Sequence, residues 1–323
     1  MRPFLFHFSY DIMGLMNKYL IQILVILVFL AAAWVLFLLG GENKIENPEQ
    51  ASVLPARLPI SEEFFPVRNW SFEDPEIDAQ SGIVMDFKQE QGTVLFKKNI
   101  KDILPIASLT KIMTAIIVLE NFDLEQTIRV SKNSISTLGD KGGLIRGEEL
   151  KVKDLLSIML IESSNDAAMA LANDSDILSY NEFLELMNIK ARTLNLENTH
   201  FLDPIGLNSK NKSTVYDLAY LTNYALNYPV LWEILKTHET TVYSIDNKFV
   251  HNLINTNELL DKISILKGGK TGYTQEANGC MLTVSEINSS FGDNYLITVV
   301  LGSNQREADT ETLIVWAKKA YIW

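Results

Sequence analysis

The chain has 323 residues, 47% of them apolar and 10% aromatic, enough for one large or two ordinary domains with a sizeable core, which excludes a disordered chain. Its net charge is −12, and since residues 1–41 carry only Arg2, Lys18 and Asp11, the acidity belongs to the rest of the chain and argues against binding nucleic acid. The single cysteine, Cys280, excludes an internal disulfide, and His7, His200, His238 and His251 are scattered without metal-ligand spacing, so they read as structural or surface residues.

In chain order, Leu20 to Leu39 holds Gln22 as its one strongly polar side chain and is long enough to cross a bilayer of about 30 Å as a helix. No small-x-small cleavage site follows it. Arg2 and Lys18 precede the span and Glu42 and Glu46 follow it, so the expectation is a cytoplasmic segment 1–19, an uncleaved signal anchor 20–39 and an outside body. Residues 40–76 contain five of the nine prolines and read as a semi-extended tether.

From Ile77 the pattern becomes domain-like. Ser81 to Phe87 and Thr93 to Lys97 predict a hairpin turning around Gln89 to Gly92. An apolar helical run, Pro105 to Leu119, follows directly. Residues 123–150 are rich in turn signals and short strands, and helices are predicted over Val152 to Ile161, Ala167 to Ala172, Asn181 to Leu194 and Thr214 to Leu226. The last third reads as strands at Thr240 to Ile245, Ile263 to Thr274, Cys280 to Ile287 and Tyr295 to Gly302, closed by a helix from Thr310 to Trp323. Cys280 is expected in the core of its strand. The order predicts an α/β fold whose single antiparallel sheet is built from both ends of the domain 77–323, around a central helical block.

Chemistry is concentrated in three short motifs. Ser108 and Lys111, at i and i+3, share a face at the start of the apolar helix, so the lysine amine can reach the serine hydroxyl as its base. Taken alone, the pair reads first as an N-cap with a solvated lysine, and the same pattern recurs at Ser264 to Lys267. Ser163-Ser164-Asn165 falls in the break between two predicted helices, and Lys270-Thr271-Gly272 in a predicted strand.

The order Ser-x-x-Lys, Ser-x-Asn, Lys-Thr-Gly resembles the active-serine penicillin-binding proteins and β-lactamases. Within that group the stretches Ile106 to Ala115, Ser164 to Ala168, Asn198 to Phe201 with Asp203 to Leu207, Asn255 to Asn257 and Gly269 to Thr274 resemble the low-molecular-mass D-alanyl-D-alanine carboxypeptidases of the penicillin-binding protein 5/6 type. Ile205 stands where that family often has histidine. The β-sandwich and C-terminal amphipathic anchor of many relatives have no counterpart after the closing helix, and the N-terminal span is expected to replace that anchor.

The resemblance implies a β-lactamase/transpeptidase-like fold and a role for each motif residue. Ser108 would attack the carbonyl between two D-alanines and Lys111 would take its proton, with Lys270 nearby favouring the uncharged amine by repulsion. Ser163 and Asn165 would complete the proton route and hold the substrate amide. Lys270 and Thr271, with Gly272 between them and Tyr273, would bind the terminal carboxylate, Arg306 serving as a second cation. The backbone N–H groups of Ser108 and Tyr273 would form an oxyanion hole, worth about 3 kcal/mol per donor in other enzymes. No metal or organic cofactor is needed. Peptidoglycan stem peptides ending in D-Ala-D-Ala are the implied substrates and β-lactams the implied covalent inhibitors. A D,D-endopeptidase is the close alternative. A class A β-lactamase lacks support because no Glu-x-x-Leu-Asn segment is present, and a catalytically inactive wall-binding scaffold fits poorly with three intact motifs.

Overall fold

The strand Ser81–Lys88 (β1) is buried at seven of its eight positions, which requires cover on both faces of the sheet. That cover comes from two separate cores. A computed structural model describes residues 66–88, 91–136, 143–289 and 292–323. The expected membrane span lies outside these, and no helix among the described residues is long and apolar enough to cross a bilayer. β1 pairs with Gln91–Lys98 (β2), as the hairpin pattern predicts. From the other end of the chain come Leu266–Thr274 (β3), Asn278–Ser289 (β4) and Gly292–Ser303 (β5). The order is β3-β4-β5-β1-β2, all antiparallel.

Alternation along the strands sorts side chains into the two cores. Ile83, Met85 and Phe87 face the helical block, while Val84 and its partner Phe96 pack with Leu313, Ile314 and Ala317 of the closing helix. The register runs Lys270↔Leu282↔Val299↔Ile83 in one row. Directly opposed residues point to one face, and Leu282, Val299 and Ile83 all belong to the helical-block core, so Lys270 points that way too.

At the centre of the block lies Thr110–Asn121 (α1), buried without interruption from Thr110 to Val118. A helix apolar on every side has to be surrounded, and Val152–Ile161 (α2), Asn165–Asn173 (α3), Tyr180–Thr193 (α4) and Val215–Ala225 (α5) surround it. Local signals explain their ends: Ser179 and Glu182 form a capping box for α4, and Thr214 caps α5. A further helix, Pro229–Lys236 (α6), starts with proline at its first turn and is absent from the sequence prediction. So is the strand Val250–Ile254, which pairs with Glu239–Tyr243.

Two expectations are corrected at the ends of the domain. The closing helix spans Arg306–Ala320 (α7) instead of Thr310 to Trp323, and Tyr321–Ile322 continue as a strand paired with Val67–Arg68. The domain therefore does not begin at Ile77. Residues 67–76, assigned to the tether, are docked: Arg68 lies 4.8 Å over the Trp316 ring and donates to Ala320 O, and Trp316 Nε1 donates to Glu73 O.

Candidate active site

Ser108 sits in a 3-10 turn, Ala107–Leu109, that runs straight into α1. Pro105 lies just ahead of this turn, in the two-residue strand Leu104–Pro105 paired with Lys212–Ser213. The N-cap alternative fails on two counts: Ser108 makes no cap hydrogen bond, and Lys111 is fully buried, not solvated. Ala107 holds φ +46°, a left-handed conformation costly for a residue with a side chain. The turn thereby leaves Ser108 half-buried, at the amide-rich end of the helix.

Three different segments bring short contacts to Lys111 Nζ. Ser108 Oγ lies 3.0 Å away, and the amine donates at 2.8 Å to Asn165 Oδ1 and at 2.8 Å to the carbonyl of Ile205. Ser164 caps α3 by accepting from Ala167 N, which fixes Asn165 as the first helical residue, not a member of the break. Ser163 occupies the break itself, with φ +63° and little exposure. Beside it, partial burial holds the Glu162 carboxyl above the usual range, opposed by a backbone hydrogen bond from Ile254 and the charge of His251.

The third segment carries a contribution that sequence reasoning missed. Asp203 accepts from the backbone N–H groups of Ile205, Gly206 and Asn208, and Asn211 clamps the same loop by bonding to Asp203 and to Thr110 Oγ1. Thr114 Oγ1 adds a bond to Pro204 O at 2.6 Å. The bracket aims the Ile205 carbonyl at Lys111. The contact is to a backbone atom, so isoleucine in place of the histidine often found at this position does not remove it.

β3 is the edge of the sheet nearest the serine. A side chain at Gly272 would bring its Cβ to 2.9 Å from Ser108 N and 3.1 Å from Ala107 Cβ, so glycine is what lets the strand come this close. Lys270, one pleat earlier on the same face, is almost fully buried and donates to Thr271 O. Thr271 Oγ1 is 2.7 Å from Thr256 Oγ1, and Tyr273 is largely exposed at the rim. Arg306 joins the group through a 2.8 Å bond from Nη1 to Gly272 O, its Nε paired with Glu307. Across the sheet from Gly272 stands Cys280, fully buried, its thiol pushed up to about 12 by burial, so it remains protonated and unreactive. All nine residues expected from the motifs thus lie on Ser108 and its helix, on the α2–α3 junction, or on β3 and the helix that bonds to it. Together they present a hydroxyl, a buried amine touching it, and a glycine-lined strand edge, the parts of an acyl-transfer site.

A family profile for D-alanyl-D-alanine carboxypeptidases, peptidase S11, matches residues 69–305. The chain is similar to D-alanyl-D-alanine carboxypeptidase DacF of Bacillus subtilis, with 34% identity over 76% of this chain and 63% of that protein, so it spans less than two thirds of that relative. It is also similar to a D-alanyl-D-alanine endopeptidase of Pseudomonas aeruginosa, with 32% identity over 76% of this chain and 79% of the relative. Among solved structures, the DD-transpeptidase of Streptomyces K15 superposes with a TM-score of 0.69 at 28% identity, covering 76% of this chain and 99% of that one. With the motifs converging on one serine and the profile covering most of the described residues, the chain belongs to the D-alanyl-D-alanine carboxypeptidase family of serine peptidases.

Proposed function

We propose that this chain works outside the cytoplasm as a serine D,D-carboxypeptidase, removing the last D-alanine from peptidoglycan pentapeptide stems through an acyl-enzyme on Ser108. The observation that carries this reading is the set of partners round Lys111. Two of its contacts are carbonyl oxygens, which only accept, so N–H bonds point at Asn165 and Ile205. Ser108 Oγ lies 3.0 Å away, within reach of the lone pair an uncharged amine would offer the hydroxyl proton.

In the first half-reaction Oγ bonds to the scissile carbonyl carbon as its proton passes to Lys111. The C–N bond then breaks and D-alanine leaves with that proton on its amine, relayed past Ser163. Water hydrolyses the remaining ester and restores Ser108. Lys270, Thr271 and Arg306 hold the terminal carboxylate, and the N–H groups of Ser108 and Tyr273 face the developing oxyanion. The free edge of β3 suits an extended peptide added as a strand. The run 20–39 is read as the anchor, supported by its hydropathy and by the charges flanking it.

The full chain in detergent, treated with labelled penicillin, is expected to carry one covalent adduct on Ser108; its absence rejects the serine-peptidase reading. Cleavage of cross-links is the second reading, favoured by the endopeptidases of Pseudomonas aeruginosa and Escherichia coli, of which the chain covers 79% and 80%. Digestion of pentapeptide and cross-linked muropeptides side by side is expected to release free D-alanine. Monomers released from dimers without free D-alanine would replace the first reading with the second. Protease protection of residues 1–19 in sealed vesicles, with the body digested from outside, tests the anchor.

A further inference from the structure

Tyr216, Tyr220, Tyr224 and Tyr228 follow one another at i, i+4 spacing along α5 and just beyond it. That spacing puts successive rings on one face. The first three line a cavity of about 500 Å³ together with the turn after α4, where Asn195 holds a left-handed φ of +56°. A second depression of about 410 Å³ shares Asn195 with the first and carries Arg192 and His200. The two adjoin, so an extended ligand can run across both.

The aromatic wall is fixed in place. Tyr220 meets Phe87 edge-on at 5.3 Å and packs at a tilt against Tyr216 at 5.0 Å, while the hydroxyls of Tyr224 and Tyr228 both donate to Glu120, which also pairs with Lys190 at 2.7 Å. Among the described residues lining the first cavity there is no lysine or arginine, and the Asp217 carboxylate is occupied by Asn198 N and Thr199 Oγ1. Lys190, paired with Glu120, lies 5.2 Å over the Tyr224 ring with its charge met there, and the rigid rings and amide side chains of the wall suit a neutral, hydroxyl-rich ring. The C–H face of a pyranose packs on the electron-rich face of an aromatic ring, and amides such as Asn195 pair with hydroxyl and acetamido groups.

We propose that this groove is a second binding site, for the sugar chain that bears the stem peptides, that is, β-linked N-acetylated hexosamines. The choice of sugar rests on the peptidase reading above. Its position fits that substrate. His200, on the wall of the second depression, exchanges two backbone hydrogen bonds with Lys212, which pairs on its other side with Pro105, three residues before Ser108. Two strand spacings, roughly 10 Å, separate His200 from Pro105, and an extended five-residue stem reaches about 17 Å. A glycan seated here leaves its own stem within reach of the serine and raises the local concentration of stems there.

The test is calorimetric titration of the full chain in detergent with the β-1,4-linked tetramer of N-acetylglucosamine, which carries no peptide. Saturable binding is expected, weakened about tenfold or more by Tyr216→Ala. Asn195→Gly, which keeps the left-handed turn while deleting the amide, is expected to weaken it too, with the melting temperature of both variants close to the parent's. Failure of the parent chain to bind the tetramer, or equal binding by both folded variants, overturns the proposal. Binding is read whether or not Ser108 can be acylated. A chain that takes penicillin but no tetramer rejects this site alone, and one that takes tetramer but no penicillin rejects the peptidase reading alone.

Discussion

A Cβ atom placed on Gly206 would stand 2.0 Å from the carbonyl oxygen of Ala107, the residue before the nucleophile. The loop that aims the Ile205 carbonyl and the strained turn that presents Ser108 are therefore seated directly against each other. Gly206 also has φ +89°, a region that side chains avoid. Gly206→Ala is expected to lose at least about 2 kcal/mol of stability and most acylation of Ser108. Chemical denaturation and the rate of penicillin labelling measure both, and a variant with parental values would show that the two loops part at little cost.

Asn165→Asp separates the neutral-amine mechanism from one in which Lys111 only positions groups. A carboxylate 2.8 Å from Nζ favours the charged amine, which has no lone pair to offer Ser108. Acylation at neutral pH is expected to fall about 100-fold or more, since general-base assistance is of that size. The variant's rate should recover at higher pH than the parent's. A parallel fall across all pH values would point to lost geometry instead.

Asp86 provides a test of stability against pH. Burial pushes its carboxyl from 3.8 up to about 6, with Lys88 acting weakly the other way, and its Oδ1 has no hydrogen-bond partner. A raised carboxyl pKa means that the folded state holds the proton more tightly. Stability from this residue is thus complete below pH 4 and lost as pH rises through about 6. Asp86→Asn is expected to raise stability on the order of 1 kcal/mol at pH 7 and to have no such advantage at pH 4. Denaturation curves at the two pH values decide it.

Arg68 tests whether residues 67–76 belong to the domain. Its guanidinium lies over Trp316, Trp70 and Tyr321 and also bonds to Ala320 O and Asp74. Arg68→Ala is expected to cost about 1–3 kcal/mol and to open this segment to chymotrypsin at Trp70 and Phe72, with Arg68→Lys restoring only part, because an ammonium lacks the planar fork. Unchanged proteolysis would return the segment to the tether.

Legibility in the sequence followed how locally each feature is encoded. Ser108, Lys111, Asn165 and Lys270 were readable because side chains in a fixed order carry their chemistry with them, and β1 with β2 was readable because a hairpin needs only its own pattern. The Ile205 carbonyl was not: the segment from Asp203 to Leu207 stood out, but a backbone acceptor leaves no mark on residue type, and its aim depends on nearby Asn211 and, through it, on Thr110, 101 positions from Asn211. α6 was missed because eight residues opening with proline look like a loop. Val250–Ile254 was missed because only Leu253 is buried, which blurs the alternation. Residues 67–76 were misassigned because proline content is a local cue, whereas Arg68 is held by aromatic rings some 250 positions further on.

The row that joins Ile83 to Val299 also sets a timetable. Ser108 and Lys111 are made early, but the strand bearing Lys270 and the strand that seats β1 come last off the ribosome. Contacts so distant along the chain form slowly and only once both ends exist. A nascent or truncated polypeptide ending before residue 266 therefore holds Ser108 and Lys111 without the strand that brings Lys270 and Gly272 to them, and the proposed site is assembled only once β3 to β5 have been made.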